Sequence, residues 1–214
     1  MNNLEVVIVD YGIGNILSVK RGLEMFDVTV KVSSDKNVIL NADRVVLPGV
    51  GAFANAMERL QNLKLVEVVR SVHEKQIPLL GICLGMQILF DQSEEFGNYD
   101  GLGIIPGTVR SMSNKEQKNI KVPHIGWTQL NARSLENSFA KKILHTITEE
   151  DYFYFVHSYM GMPDFKDHLL ATCSYGNLNI PAIVGRDSTI GCQFHPEKSG
   201  RHGLKILKEF CNVK

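Results

Sequence analysis

The sequence has no surplus of either charge: Lys and Arg number 23, Asp and Glu number 23, and the formal net charge over 214 residues is zero. That absence excludes a partner held mainly by phosphate charge, because nucleic-acid binding needs a basic surplus on at least one face. Long hydrophobic runs are missing too. The longest nearly apolar stretch, Ile77 to Phe90, is interrupted by Pro78, Gly81, Gly85 and Gln87 and is too short to span a bilayer, so no membrane partner is expected. The opening residues Met1-Asn2-Asn3-Leu4-Glu5 lack a basic region followed by an apolar run. No secretory leader is legible there, and a cytoplasmic location is the expectation. The four cysteines, at 83, 173, 192 and 211, form no CxxC pair, which argues against a metal site and, with no leader, for reduced thiols. No Ser/Pro-rich linker or internal repeat divides the chain, so residues 1–214 are expected to form one domain. Residues of the AVILMFWYC set make up 44% and charged residues 21%, a globular composition. A chain of this length buries roughly 70% of its unfolded surface and needs no disulfide or metal staple.

Hydrophobic patterning then supplies the organisation. Leu4 to Asp10 reads as a buried strand, and Asn15 to Phe26 as a helix with Ile16, Val19, Leu23 and Phe26 on one face. Further strands are predicted at Val28–Val32, Arg44–Leu47 and Pro78–Ile82, the second closed by Pro48-Gly49-Val50-Gly51. Helices are predicted from about Ala52 to Leu60, Leu63 to Glu74 and Leu84 to Phe90. Between Gly101 and Arg186 the texture changes to short strands with one helical patch at Ser138–Leu144. Thr189–Phe194 reads as a last strand and Ser199–Cys211 as a closing helix. Strands alternating with helices imply an α/β fold: an open, mostly parallel sheet with helices on both faces, plus a smaller β-rich portion.

Gly81-Ile82-Cys83-Leu84-Gly85 has the G-x-nucleophile-x-G form of a nucleophile elbow. A strand that turns sharply into a helix needs glycines beside the nucleophile to leave room for the turn. A cysteine at a helix N-terminus also gains thiolate character from the partial positive charge there, and the Leu84 N–H next to it is placed to donate to an oxyanion. The pentapeptide is equally compatible with a buried structural cysteine. A thiol nucleophile needs a base and the base an orienting group, and Gln193-Phe194-His195-Pro196-Glu197 offers both. His195 follows a strand, at the edge where ligands bind in open α/β sheets. Glu197 lies two residues on, on the same side of an extended backbone. His73, His145, His168 and His202 are expected on the surface. His157, at a strand end, fits a structural role or a pocket lining. Cys192 and His195 have C-x-x-H spacing without a second pair, so no zinc site is expected. Gly12-Ile13-Gly14 lacks the third glycine of a dinucleotide loop, since Leu17 stands there.

Taken together these segments resemble the triad-type, class I glutamine amidotransferases. The segments Asp10–Asn15, Pro48–Phe53, Gly81–Gln87, Val122–Trp127, Tyr154–Tyr159 and Gln193–Gly200 are similar, in order, to the glutaminase subunits of imidazole glycerol phosphate synthases. P-H-x-G-W and Y-F-V-H-S-Y are the discriminating ones. The resemblance implies hydrolysis of L-glutamine to glutamate and ammonia without a cofactor, and transfer of the ammonia to a cyclase subunit of histidine biosynthesis. It implies Cys83, His195 and Glu197 as the catalytic triad, and Leu84 with Val50 and Gly51 as the oxyanion hole. Gly51, Gln87, Ser158 and Tyr159 match positions around glutamine; Asn15, Pro123, His124, Trp127 and Lys198 match the face that meets the cyclase. A docked partner is expected to reorient the Gly49-Val50-Gly51 peptide and raise glutaminase activity. Thr128 and Gly185-Arg186 depart from the forms expected most often, which leaves open a paralogue feeding a sugar-amidating pathway of surface polysaccharide synthesis. A non-catalytic pseudo-glutaminase is disfavoured by the intact triad, and a cysteine peptidase by the P-G-V-G and Q-F-H-P-E-K-S segments.

Overall fold

The computed structural model describes residues 4–113, 120–132 and 137–212; Met1, Asn2 and Asn3, part of the segment read for a leader, lie outside the described residues. The chain runs β1 (Leu4–Val9), α1 (Ile16–Leu23), β2 (Val28–Ser33), α2 (Lys36–Leu40), β3 (Arg44–Gly49), α3 (Phe53–Asn62), α4 (Val66–Glu74), β4 (Leu79–Cys83) and α5 (Leu84–Gln87). The second half holds β5 (Phe90–Ser93), β6 (Tyr99–Asp100), β7 (Ile105–Ser111), β8 (His124–Gln129), β9 (Asn131–Ala132), α6 (Ser138–Leu144), β10 (Tyr152–His157), β11 (Tyr159–Pro163), β12 (Leu169–Tyr175), β13 (Leu178–Arg186), β14 (Thr189–Cys192) and α7 (Gly200–Asn212).

An eight-stranded sheet in the order β2-β1-β3-β4-β14-β13-β12-β9 forms the body. Strands β2 to β14 of that order pair in parallel, and β13, β12 and β9 add antiparallel strands at one side. Period-two alternation divides its side chains between two cores. Val6 and Ile8 of β1 pack with α1, α6 and α7 on one face, while Val7 and Val9 pack with α3 and α4 on the other. This is why the strands read as continuous apolar runs: both faces are covered. A four-stranded sheet, β11-β7-β5-β6, and a two-stranded ribbon, β10-β8, make up the smaller β-rich portion.

Three expectations need correction. The helix predicted for Leu84–Phe90 is a single turn, because Phe90 starts β5 in the second sheet. The strand predicted to reach Phe194 ends at Cys192. The helix α2 was not predicted; its signal was Asp35, whose carboxylate accepts from the Asn37 and Val38 N–H groups at 2.7 and 3.1 Å as a helix cap.

The parallel strands β3, β4 and β14 end at Gly49, Cys83 and Cys192. The register sets Gly49 beside Cys83, and Cys192 beside Ile82. The segments that follow these strands are therefore neighbours along one edge of the sheet.

Candidate active site

The turn from β4 into α5 is as tight as the glycines imply. Cys83 has φ +55°, a left-handed conformation that a side chain rarely adopts. A Cβ on Gly85 would lie 1.8 Å from the Leu47 carbonyl oxygen, and one on Gly81 2.7 Å from the Gly85 oxygen. Both flanking glycines are thus demanded by backbone packing, and the strained nucleophile position is held by surrounding structure. With only one turn of helix beyond it, the helix dipole is a small contribution, and the charge partner of Cys83 is a side chain.

That side chain is His195. Its ring lines the cavity beside Cys83, and its Nδ1 lies 2.8 Å from Glu197 Oε1. His195 and the Glu197 side chain are almost completely buried. Burial alone lowers the imidazole pKa, but the hydrogen bonds and charges of Cys83 and Glu197 outweigh it, and the ring is raised to about 9. It therefore carries a proton at neutral pH. The backbone is fixed as well: the His195 N–H donates to the Tyr154 carbonyl at 3.0 Å, and Ser199 Oγ donates to the His195 carbonyl at 2.6 Å. The other three cysteines are bystanders. Burial pushes Cys173 up to about 12 and Cys211 up to about 11, and it raises Cys192 well above the ordinary thiol value.

Cys83 and His195 open into a cavity of about 340 Å³, which Val50, Gly51, Leu84, Gln87, Ser158 and Tyr159 also line. Every oxyanion and substrate residue taken from the sequence thus lines one cavity with Cys83 and His195, and Glu197 joins them through its bond to His195. Gly51 takes φ +95°, which suits glycine. The loop carrying Val50 and Gly51 is anchored below by Tyr11, whose buried hydroxyl donates to the Pro48 carbonyl at 2.5 Å. A larger depression, about 700 Å³, surrounds Lys166–Leu170 and Gly185–Ser188. Arg186 pairs with Thr189, and Thr189 with Leu79, so that depression sits at the opposite end of β4 from Cys83.

Sequence reasoning missed Glu95, a largely buried carboxylate on the cavity wall whose Oε2 accepts from the Phe53 N–H at 2.6 Å. It arrives from the loop after β5, and no local motif marks it. It also gave no role to Gln193, a fully buried residue whose Nε2 lies 3.8 Å from Cys83 Sγ. The signal there was its place two residues before His195, on the same side of the chain.

The residues matched to a partner face divide. Pro123, Trp127 and Lys198 are exposed and Asn15 is half-buried. His124 is not available: it is 1% exposed, stacked on Phe155 and Tyr175 with centroids 4.9 and 4.0 Å away. Its Nδ1 meets His157 Nε2 at 3.2 Å and its Nε2 meets Thr128 Oγ1 at 3.0 Å. Alternation along β8 turns it inward between exposed Pro123 and Ile125. His157 both lines the cavity and is tied down, through Nδ1, to the Tyr159 carbonyl at 2.8 Å. Of the histidines expected on the surface, only His145 is exposed. His73 bonds Thr189 Oγ1 at 2.9 Å, His202 bonds Asp151, and His168 packs edge-on against Phe165. Among the described residues no cluster of His, Cys, Asp and Glu is arranged to hold a metal ion.

Comparison with known proteins gives a consistent picture. The family model described as glutamine amidotransferase class-I matches residues 7–213. The chain is 42% identical over 210 residues to imidazole glycerol phosphate synthase subunit HisH 1 of Legionella pneumophila (strain Lens), covering 97% of this chain and 99% of that protein. It is 44% identical over 207 residues to subunit HisH of Lactococcus lactis subsp. lactis (strain IL1403), covering 96% and 97%. Among solved structures, PurLQS from Thermotoga maritima superposes with a TM-score of 0.73 at 15% identity, covering 98% of each chain. A crystal structure of a glutamine amidotransferase gives 0.72 at 17% identity, covering 97% and 99%. These two likenesses concern the fold.

Proposed function

We propose, for a chain that belongs to the class I glutamine amidotransferase family, the role of glutaminase subunit of imidazole glycerol phosphate synthase: it hydrolyses L-glutamine and passes the ammonia to a cyclase subunit in histidine biosynthesis. The observation that carries the reading is the pair Cys83 and His195 at the cavity wall, backed by Glu197, on a chain whose curated relatives share over 40% identity along nearly its full length. The same relatives give no support to a sugar-amidating, non-catalytic or peptidase reading. No helix among the described residues is long and apolar enough to cross a membrane, which accords with a cytoplasmic biosynthetic enzyme folded as one domain.

The geometry supports the following course. The Cys83 sulfur attacks the side-chain carbonyl carbon of glutamine, and charge moves to the amide oxygen. The N–H of Leu84 and a backbone N–H of Val50 or Gly51 receive that oxyanion, a donor worth on the order of 10²–10³ in rate. His195, already protonated, gives its proton to the leaving nitrogen, and ammonia departs from a thioester. The neutral imidazole then takes a proton from water, which attacks the thioester and releases glutamate. Such acid–base help is worth roughly 10²–10⁴-fold. Glu197 holds the ring in place and stabilises its charged form. Gln87 donates both amide hydrogens within the protein and so offers Oε1 to a ligand. With the Glu95 carboxylate it makes an acceptor pair suited to the substrate ammonium, and Ser158 and Tyr159 line the same cavity. Pro123, Trp127, Lys198 and Asn15 contribute to the partner face, and His124 supports it from beneath.

Glutamine-dependent and ammonia-dependent synthesis, measured with the cyclase subunit, test the reading. Cys83→Ala is expected to abolish the first and spare the second; loss of both overturns the assignment. Glutamine turnover by the lone wild-type chain is expected to be low and to rise when the cyclase is added.

A further inference from the structure

The Gln193 side chain is joined to the active site by an ordered chain of hydrogen bonds. The Tyr159 carbonyl can only accept, so the Gln87 amide atom 3.0 Å from it is nitrogen. The same Gln87 Nε2 lies 3.0 Å from the Gln193 side chain and can only donate, so the atom it meets is Oε1. The remaining amide atom of Gln193, 3.8 Å from Cys83 Sγ, is therefore the nitrogen, a donor aimed at the sulfur. The residue is fully buried, and its own N–H donates to the Ala182 carbonyl at 2.9 Å. Its amide cannot turn over without breaking the bond to Gln87.

We propose that Gln193 is a catalytic residue of this glutaminase, whose Nε2–H stabilises the Cys83 thiolate before attack and during release of the thioester. This deepens, and rests on, the reading of Cys83 as nucleophile. A thiolate has several lone pairs and His195 engages one of them. A second, neutral donor in a buried setting favours the charged form further. Being neutral, it does so without competing with His195 for the proton that must reach the leaving nitrogen. Gln87 also lines the substrate cavity, so the donor on the sulfur and the wall that meets glutamine are parts of one network.

The test uses the chain bound to its cyclase subunit. Gln193→Met keeps the side-chain length and removes the donor. Gln193→Glu keeps an acceptor for Gln87 and sets an acid oxygen against the sulfur. Carboxamidomethylation of Cys83 by iodoacetamide, followed by peptide mass, gives a rate against pH that does not depend on turnover. The midpoint of that profile is expected to move up by about one pH unit in Gln193→Met and further in Gln193→Glu. At neutral pH, kcat is expected to fall roughly tenfold, with KM for glutamine changed by less than about threefold. Profiles that coincide with wild type overturn the proposal, even if the variants lose activity, because Gln193 would then act through packing alone. Cys83→Ala separates the two ideas: turnover in that variant sinks the nucleophile reading, whereas an inert Cys83→Ala with unmoved Gln193 profiles sinks only the inference.

Discussion

His124 and His157 lie buried against each other, His157 within reach of the His195 charge, and their protonation sets a pH dependence of stability. Burial lowers both to about 4; for His157 the charges of His124 and His195 add to that, against a bond to the Tyr159 carbonyl. Unfolded, each would return to about 6.5, so near pH 5 the unfolded chain binds about two more protons through this pair. Stability from these two residues is present above 6.5 and is lost as pH falls toward 4. His195 runs the other way: raised to about 9, it contributes fully below 6.5 and loses its contribution as pH rises through 9. In urea unfolding between pH 4 and 6.5, His157→Gln is expected to reduce the slope of stability against pH by up to about 1.4 kcal/mol per unit. An unchanged slope would mean that His157 is protonated in the folded chain.

At the scale of an element, the β4–α5 turn is the most demanding piece of backbone. Gly85 presses against Leu47 of β3, and a methyl group there has no space: the atom it meets is main-chain oxygen, which cannot swing aside. Gly85→Ala is expected to cost at least about 3 kcal/mol, through displaced strands and not through lost chemistry. Thermal melting of the purified variant checks this, and a melting temperature equal to wild type would show that β3 can yield. The elbow was legible in the sequence because its glycines are adjacent to the nucleophile. The length of its helix was not. Leu84 to Phe90 has an apolar pattern that a helix or a buried strand satisfies equally, and pairing of Phe90 with Ile105 in the second sheet decides for the strand.

For the whole molecule, the question is where a partner sits. The ribbon β8–β10 turns Ile125, Trp127, Tyr152 and Val156 outward, and Val156 and Pro123 continue that surface to the cavity rim. Trp127 is the only tryptophan in the chain and is 52% exposed, so it reports on docking. Titration with the cyclase subunit is expected to shift its fluorescence to shorter wavelength as water leaves the indole. No change at saturating partner would place the contact elsewhere. A neutral chain is consistent with this: the sum of charges excludes a polyanion but says nothing of a local apolar face.

The sequence by itself determined whatever depends on near neighbours. Alternating strands and helices, the glycine-flanked cysteine and the His195–Glu197 pair follow from periodicity, steric limits and residues within one turn of each other. Only the tertiary structure decided the rest. The order β3-β4-β14 carries residues near 50, 83 and 195 to one edge of the sheet, the loop after β5 carries Glu95 to the same cavity, and inward pleating takes His124 away from the surface. Those outcomes depend on pairings between segments far apart in the chain, whose energies no local pattern records.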